Sequence, residues 1–248
     1  MVELEDCFIL LLSAGTGSRM GVKGKKLPKS LLKFNKETIL SILIKKLRQR
    51  GAKEINIILG YKYKKILDEL KLLKIKINYL IIKDFINNGS VFSLYKSYNL
   101  FKKNKKKYVL MLHTDLIFNS KFLDNIIKSK KKDIIGVKTM KKQEYKKSSF
   151  LAQVDKDFKL KKIGKEFEIS NPFGEIICIN KFSNKTFIEL ILFLKKYFQK
   201  ASKNITWEYP ISDFAKKNPI YVLKNQNFKW FNINKPSDLI FARKSYKL

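Results

Sequence analysis

Phe8-Ile9-Leu10-Leu11-Leu12-Ser13-Ala14-Gly15-Thr16-Gly17-Ser18-Arg19-Met20 is a short, wholly apolar run that opens into a glycine-rich loop ending in an arginine. An unbroken apolar run of this length suits a strand buried on both faces, and the glycines that follow mark its exit into a loop. Glycines just past a strand let backbone N–H groups approach anionic oxygens, and the Arg19 guanidinium adds a rigid fork of donors. Pro28-Lys29 follows shortly; the proline stiffens the chain and the lysine brings a point charge within reach of the same anion. The loop lacks the G-K-[ST] of a Walker A motif and is not G-x-G-x-x-G. A glycine turn alone means little, but joined to Arg19 and Pro28-Lys29 it reads as a phosphate-binding loop made of Ser13, Ala14, Gly15, Thr16, Gly17 and Ser18.

Working outward, the periodicity predicts a helix over Thr38–Arg50 stopped by Gly51, a strand over Ile55–Leu59 closed by Gly60, and a helix over Tyr63–Leu73. It then predicts a strand over Ile75–Ile82, a helix over Ser93–Phe101, a strand over Lys107–Leu112 that leads to Asp115, a helix over Phe122–Ser129 and a strand over Asp133–Val137. Strands and helices alternate, and the strands are apolar throughout. The expected fold class is therefore α/β: an open, mostly parallel sheet with helices on both faces and ligands beyond the carboxyl ends of the strands. From Gln143 to Phe182 short strands and polar turns replace this rhythm, which suggests a small inserted acceptor-binding region within a single domain spanning 1–248. Helices over Thr186–Ala201 and Ser237–Lys244 complete the expected elements.

With 248 residues, 45% of them hydrophobic, the chain can bury a sizeable core. Cys7 and Cys178 lie in separate apolar runs without a C-x-x-C pattern, as reduced core cysteines of a cytoplasmic protein do. The acidic start, Met1 to Asp6, is unlike a secretory leader, and no apolar stretch reaches the roughly 18 residues of a membrane span. The formal charge of +33 raises the question of nucleic acid. Only four of the 54 basic residues are arginine and the lysines are spread along the chain, whereas a nucleic-acid surface gathers arginine with interleaved aromatics. The charge is read instead as a field that attracts anionic substrates, with no nucleic-acid partner expected.

The loop and its Pro28-Lys29 resemble the signature of the nucleoside-diphosphate-sugar pyrophosphorylase superfamily of nucleotidyltransferases: a strand, G-x-G-[ST]-R-[ML] and a downstream P-K. The resemblance continues at Gly60-Tyr61, at Asn88-Gly89-Ser90-Val91-Phe92-Ser93-Leu94, at Thr114-Asp115-Leu116-Ile117-Phe118 and at Asn232-Ile233-Asn234-Lys235-Pro236-Ser237-Asp238-Leu239. These matches fall in order over nearly the whole chain, and within the superfamily they look most like the phosphocholine cytidylyltransferase branch, which also acts on phosphonates.

The resemblance implies a reaction between a nucleoside triphosphate, CTP by preference, and a small phosphorylated acceptor. Arg19 and Lys29 would be the catalytic cations, and Asp115, at a strand end, would hold Mg²⁺, an ion that takes few protein ligands and leaves room for phosphates. The second ligand would be Asn234, where the branch motif E-I-D-x-P-x-D-L carries aspartate; both acids of E-I-D are replaced, by Asn232 and Asn234. An amide oxygen can ligate a hard cation but adds no charge. Asn88, Gly89 and Ser90 correspond to a loop that meets the nucleobase, with an ordinary β-turn as the plainer reading. Glu175, in Gly174-Glu175, and Trp207-Glu208-Tyr209 correspond to the acceptor side, where aromatic faces with a carboxylate suit a cationic amine; Trp207 and Tyr209 read equally well as core. His113 reads as structural. Alternative readings are a sugar-1-phosphate uridylyl- or guanylyltransferase and a non-catalytic nucleotide-binding homologue.

Overall fold

Phe8, Ile9, Leu10 and Leu11 are all buried, because each face of their strand meets its own layer of helices. The computed structural model describes residues 3–73, 75–139, 144–145, 148–200, 204–225 and 228–246. Along the chain run β1 (Cys7–Ser13), α1 (Val22–Lys26), β2 (Lys33–Phe34), β3 (Glu37–Thr38), α2 (Ile39–Arg48), β4 (Glu54–Leu59), α3 (Tyr63–Lys71) and β5 (Lys76–Ile81). There follow α4 (Ser90–Lys96), α5 (Tyr98–Phe101), β6 (Tyr108–His113), β7 (Leu116–Phe118), α6 (Ser120–Lys128) and β8 (Ile134–Lys138). The rest comprises β9 (Leu151–Val154), β10 (Leu160–Gly164), β11 (Gly174–Ser183), α7 (Asn184–Lys200), α8 (Glu208–Ala215), β12 (Tyr221–Asn225), β13 (Trp230–Asn232) and α9 (Pro236–Ser245).

The two-residue alternation of a strand sorts β1 into two cores. Ile9 and Leu11 pack with Leu40, Leu43, Ile66 and Phe122 from α2, α3 and α6. Phe8 and Leu10 pack with Val91, Leu94, Phe187 and Ile211 from α4, α7 and α8. The strand order β5-β4-β1-β6 is parallel throughout, and chain order runs outward from β1 on both sides, so a crevice opens beyond the carboxyl ends of β1 and β6. Past β6 the sheet changes character. Long β11 runs antiparallel to β6, then pairs with β8 and β9, while β10 flanks β9 and β12 flanks β8.

The α/β sheet with helices on both faces is as expected. Two details differ. The helix expected at Ser93–Phe101 begins at Ser90 and breaks into α4 and α5 at Ser97, whose hydroxyl donates to the Leu94 carbonyl and competes with helix continuation. The irregular stretch after β8 is partly built into the main sheet, since β11 is an internal strand. Its expected start at Gln143, and the expected end of α7 at Ala201, lie outside the described residues.

A third, small core positions the site. Met20, Leu32, Phe34, Ile39, Ile117, Ile233 and Leu239 form it, joining the loop after β1, α9 and the ribbon in which β13 runs antiparallel to β7.

Candidate active site

Met20 is 1% exposed and Ile233 fully buried, and both anchor in this third core. Their chain neighbours Arg19 and Asn234 therefore emerge side by side although 215 residues separate them: Arg19 Nη2 donates to Asn234 Oδ1 at 2.8 Å. The Ile233 N–H donates to the Asp115 carbonyl at 2.9 Å, extending the β7–β13 ribbon until Asn234 faces Asp115. The Asp238 carboxylate accepts from the N–H groups of Asn234 and Lys235 and caps α9. This last function of the Asn-x-x-x-Asp spacing is what the motif's terminal aspartate does mechanically.

Lys29 joins the group from the 3₁₀ turn after Pro28. Its Nζ donates to Asp115 Oδ2 at 3.1 Å and to Asn234 Oδ1 at 2.7 Å. Gly17 is required under it: φ is +64°, and a Cβ there would stand 2.9 Å from Lys29 Cγ. The loop is fixed from below as well. Thr114 Oγ1 donates to Ser13 Oγ at 2.9 Å, Ser13 donates to Ser30, and the Tyr61 N–H donates to the Ala14 carbonyl.

Withdrawal from water pushes the Asp115 carboxyl up, but the Lys29 ammonium overrides this and leaves it below the ordinary carboxylate value. Asp115 is thus an anion. Its Oδ2 is paired, while Oδ1 is closed off from water with no hydrogen-bond partner among the described residues. A buried carboxylate oxygen left in that state is costly, and it fits a hard divalent ion such as Mg²⁺. Asn234 fits less directly, because its amide oxygen already accepts from Arg19 and Lys29.

These residues line a cleft of about 1520 Å³, which also receives Gly15, Thr16, Ser18, Asn88, Gly89 and Ser90. The base-loop candidates are held by the segment before α8. A Cβ on Gly89 would lie 2.0 Å from the Ile205 carbonyl oxygen, the Val91 N–H donates to that same oxygen, and the Trp207 N–H donates to Ser90 Oγ at 3.0 Å. Asn88 donates to the Asp84 carbonyl. Only glycine permits this contact, so Asn88-Gly89-Ser90 is a close-packed junction and not merely a turn.

The same cleft is lined by Glu175 and Glu208, 8% and 6% exposed. Ser149 donates to Glu175 Oε1 at 2.6 Å; Glu208 Oε2 has no partner among the described residues, and burial raises its carboxyl above the ordinary value. Trp207 is 1% exposed, so its ring faces the core, and its Nε1–H donates to His113 Nε2 at 3.1 Å. Tyr209 reaches the cleft, edge-on to Phe150. His113, Cys178 and Glu208 bring donor atoms within 4.8 Å of one another. The indole N–H donates to His113 Nε2, and burial holds the Cys178 thiol well above its usual range. As arranged, the three make a buried polar contact at the cleft floor. Among the cleft residues that escaped the sequence reading is Lys165, just after β10, whose only mark in the sequence is a glycine before it.

Comparison with known proteins agrees with this geometry. A curated relative, the bifunctional sugar-1-phosphate nucleotidylyltransferase/acetyltransferase of Sulfurisphaera tokodaii, is 27% identical over 239 residues, which is 94% of this chain. The chain spans about half the length of that relative, 54%. Among solved structures, the CTP:phosphocholine cytidylyltransferase of Streptococcus pneumoniae superposes with a TM-score of 0.76 at 17% identity, over 97% of this chain and 99% of that one. The inositol-1-phosphate CTP transferase of T. maritima gives 0.78 at 16% identity, over 97% of each. Among the described residues no helix is long and apolar enough to cross a membrane. The family model described as nucleotidyl transferase matches residues 9–163, from the strand that feeds the glycine-rich loop to the far edge of the sheet, and the chain belongs to that family.

Proposed function

We propose that the protein transfers a nucleotidyl group, CMP from CTP by preference, to the phosphate or phosphonate oxygen of a small acceptor, releasing pyrophosphate. The observation that carries this is the meeting of Arg19, Lys29, Asp115 and Asn234 at the mouth of the loop 13–18. Two fixed cations and one unsatisfied carboxylate oxygen face a loop built for phosphate. The acceptor oxygen is already ionised near neutral pH, so attack on the α-phosphorus needs no general base. Catalysis rests on alignment and on charge placed in advance. Arg19 and Lys29 exchange Asn234 for triphosphate oxygens, Arg19 on the β- and γ-phosphates and Lys29 beside the α-phosphorus. Asp115 Oδ1, with the amide oxygen of Asn234 once released, would hold Mg²⁺, which would supply neutralisation of the phosphates and of the leaving pyrophosphate. Asn88, Gly89 and Ser90 present backbone and side chains to the base, and the stretch between β8 and β11, with Glu175 and Glu208, receives the acceptor. The choice of CTP is supported by the two cytidylyl-transferring structural neighbours.

A second reading, transfer to a sugar 1-phosphate, is favoured by the activity for which the Sulfurisphaera relative is named. Both are tested by measuring pyrophosphate release from the four nucleoside triphosphates against phosphocholine, 2-aminoethylphosphonate, polyol phosphates and sugar 1-phosphates. CTP with a small phosphorylated acceptor should give the fastest release. Release only with UTP, GTP or a deoxythymidine triphosphate and a sugar 1-phosphate would favour the second reading. No release with any pair would leave a nucleotide-binding protein.

A further inference from the structure

The fold brings lysine runs from three distant parts of the chain to the edge of the sheet that lies away from the cleft. Cys7 and Ser183 both pair with Tyr108, and Ile134 pairs with both Lys181 and Tyr221, so the starts of β1, β6, β8 and β12 and the end of β11 form one edge. The cleft opens at the opposite edge, where β1 ends at Ser13 and β6 at His113. Segment 102–107 (KKNKKK) leads into β6, segment 130–132 (KKK) into β8, and Lys216 and Lys217 precede β12; every lysine among them is exposed. β6, β11, β8 and β12 are consecutive neighbours, and at about 4.8 Å per strand step the three runs lie within about 15 Å of one another. That is under two screening lengths of about 8 Å at physiological salt, so the charges act together. The acids of this edge do not cancel them. Asp133 accepts from the Ser183 N–H at 2.7 Å, while Asp6 faces Lys107 at 3.6 Å and Asp213 faces Lys216 at 2.7 Å. Like charges gathered so closely repel, and the fold gains nothing from collecting them.

We infer that this edge docks on an anionic phospholipid surface, holding the protein at a membrane with its cleft turned to water. The chemistry of the partner follows from the residues. The runs are lysine without arginine, compact and strongly hydrated charges that suit diffuse attraction to a charged plane better than forked contacts with single phosphates. A nucleic acid would also seek aromatic faces on which to stack its bases. The rings at this edge are taken: Lys181 and Lys131 stand over Tyr108 and Tyr221, 5.3 and 3.8 Å from the ring centres. A bilayer presents a plane of phosphates wide enough to meet all three runs at once, and each lysine near it adds to the attraction. Docking at this edge is independent of what the cleft catalyses.

The test is sedimentation with vesicles of phosphatidylcholine, alone or with about 30% phosphatidylglycerol, at about 0.1 M and about 1 M salt. Wild type should sediment with the mixed vesicles at the lower salt and with neither kind at the higher. Two variants each lose four positive charges. One carries Lys103→Gln, Lys105→Gln, Lys130→Gln and Lys132→Gln at this edge; the other carries Lys64→Gln, Lys121→Gln, Lys195→Gln and Lys196→Gln at exposed helix positions away from it. The edge variant should bind mixed vesicles at least about tenfold more weakly than wild type and the second variant less than about threefold, each with the thermal midpoint of wild type. Should the edge variant fail to fold, Lys103→Gln with Lys105→Gln alone makes the same comparison and should weaken binding about threefold or more. Equal losses in the two fourfold variants would mean that the overall charge of +33 acts without a particular surface, and overturn the inference. Failure of the wild type to bind mixed vesicles overturns it as well. A single-stranded oligonucleotide that strips wild type from the vesicles, and whose binding the edge variant loses, assigns the edge to nucleic acid instead and overturns the membrane reading.

Discussion

Asp115 presents two oxygens in different circumstances, one paired to Lys29 and the other sealed from water without a partner. Removing the carboxylate therefore removes a cost to folding along with a function. Asp115→Ala should lose pyrophosphate release by about a thousandfold or more while its thermal midpoint holds or rises; a variant that keeps most of its turnover refutes the assigned role. Asn234 is bound by two cations that must turn away before its oxygen is available. Asn234→Asp should keep turnover and lower the Mg²⁺ concentration needed for half-maximal rate, whereas Asn234→Ala should raise that concentration and slow turnover. If both variants titrate with Mg²⁺ as the wild type does, Asn234 serves only to hold Arg19 and Lys29 in place.

Between α2 and the β7–β13 ribbon a lysine takes an apolar position. Lys46 is 9% exposed, donates to the Phe118 carbonyl and lies 5.0 Å from the centre of the Phe118 ring. Burial lowers its pKa from 10.5 to about 8. Between those two values the unfolded chain binds the proton more tightly than the folded one, so Lys46 contributes a stability that rises with pH, by up to about 1.4 kcal/mol per pH unit. Below pH 8 the penalty is present in full. Urea unfolding of wild type and Lys46→Met at pH 7.5 and 9.5 should show the variant's relative advantage shrinking at the higher pH; an unchanged difference would mean that the ammonium is not desolvated. Nothing in the sequence singled out this lysine, because a run of lysines in a basic chain reads as solvated surface. What the sequence did announce were features written locally: the apolar strands, the glycine loop, Pro28-Lys29, and Asp115 at a strand end. Asn232 and Asn234 were legible only as a departure from a motif. That Arg19 and Asn234 touch depends on Met20 and Ile233 sharing a core, a pairing across the whole chain that no local periodicity encodes. Trp207 was open between the acceptor side and the core, and its bond to His113 turns it inward; Lys165 was missed because its place depends on Phe150 lying beneath it.

Over the whole molecule, 54 basic residues face 21 acidic ones, and the field they create draws anions toward a cleft lined by Arg19 and Lys29. Raising the ionic strength from about 0.1 M to about 1 M shortens the screening length from about 10 to about 3 Å, and should lower kcat/KM for the nucleotide severalfold with kcat little changed. An effect on kcat alone would place the salt dependence in the chemistry. The sheet that carries this cleft is held across its middle by β11, whose ten residues serve two neighbourhoods. On one side Gly174 and Glu175 pair with β9 and Ile179 to Ser183 with β6; on the other β8 pairs from Glu175 to Lys181, its register shifting around Cys178, which sits at φ +56°. One continuous strand is thus both a wall of the cleft, through Glu175, and a beam beside the parallel half of the sheet. A substrate pocket borrowed from a relative could not be grafted here as a cassette, since either splice point would sever a central strand; new acceptors must be reached by exchanging side chains within the scaffold, one position at a time.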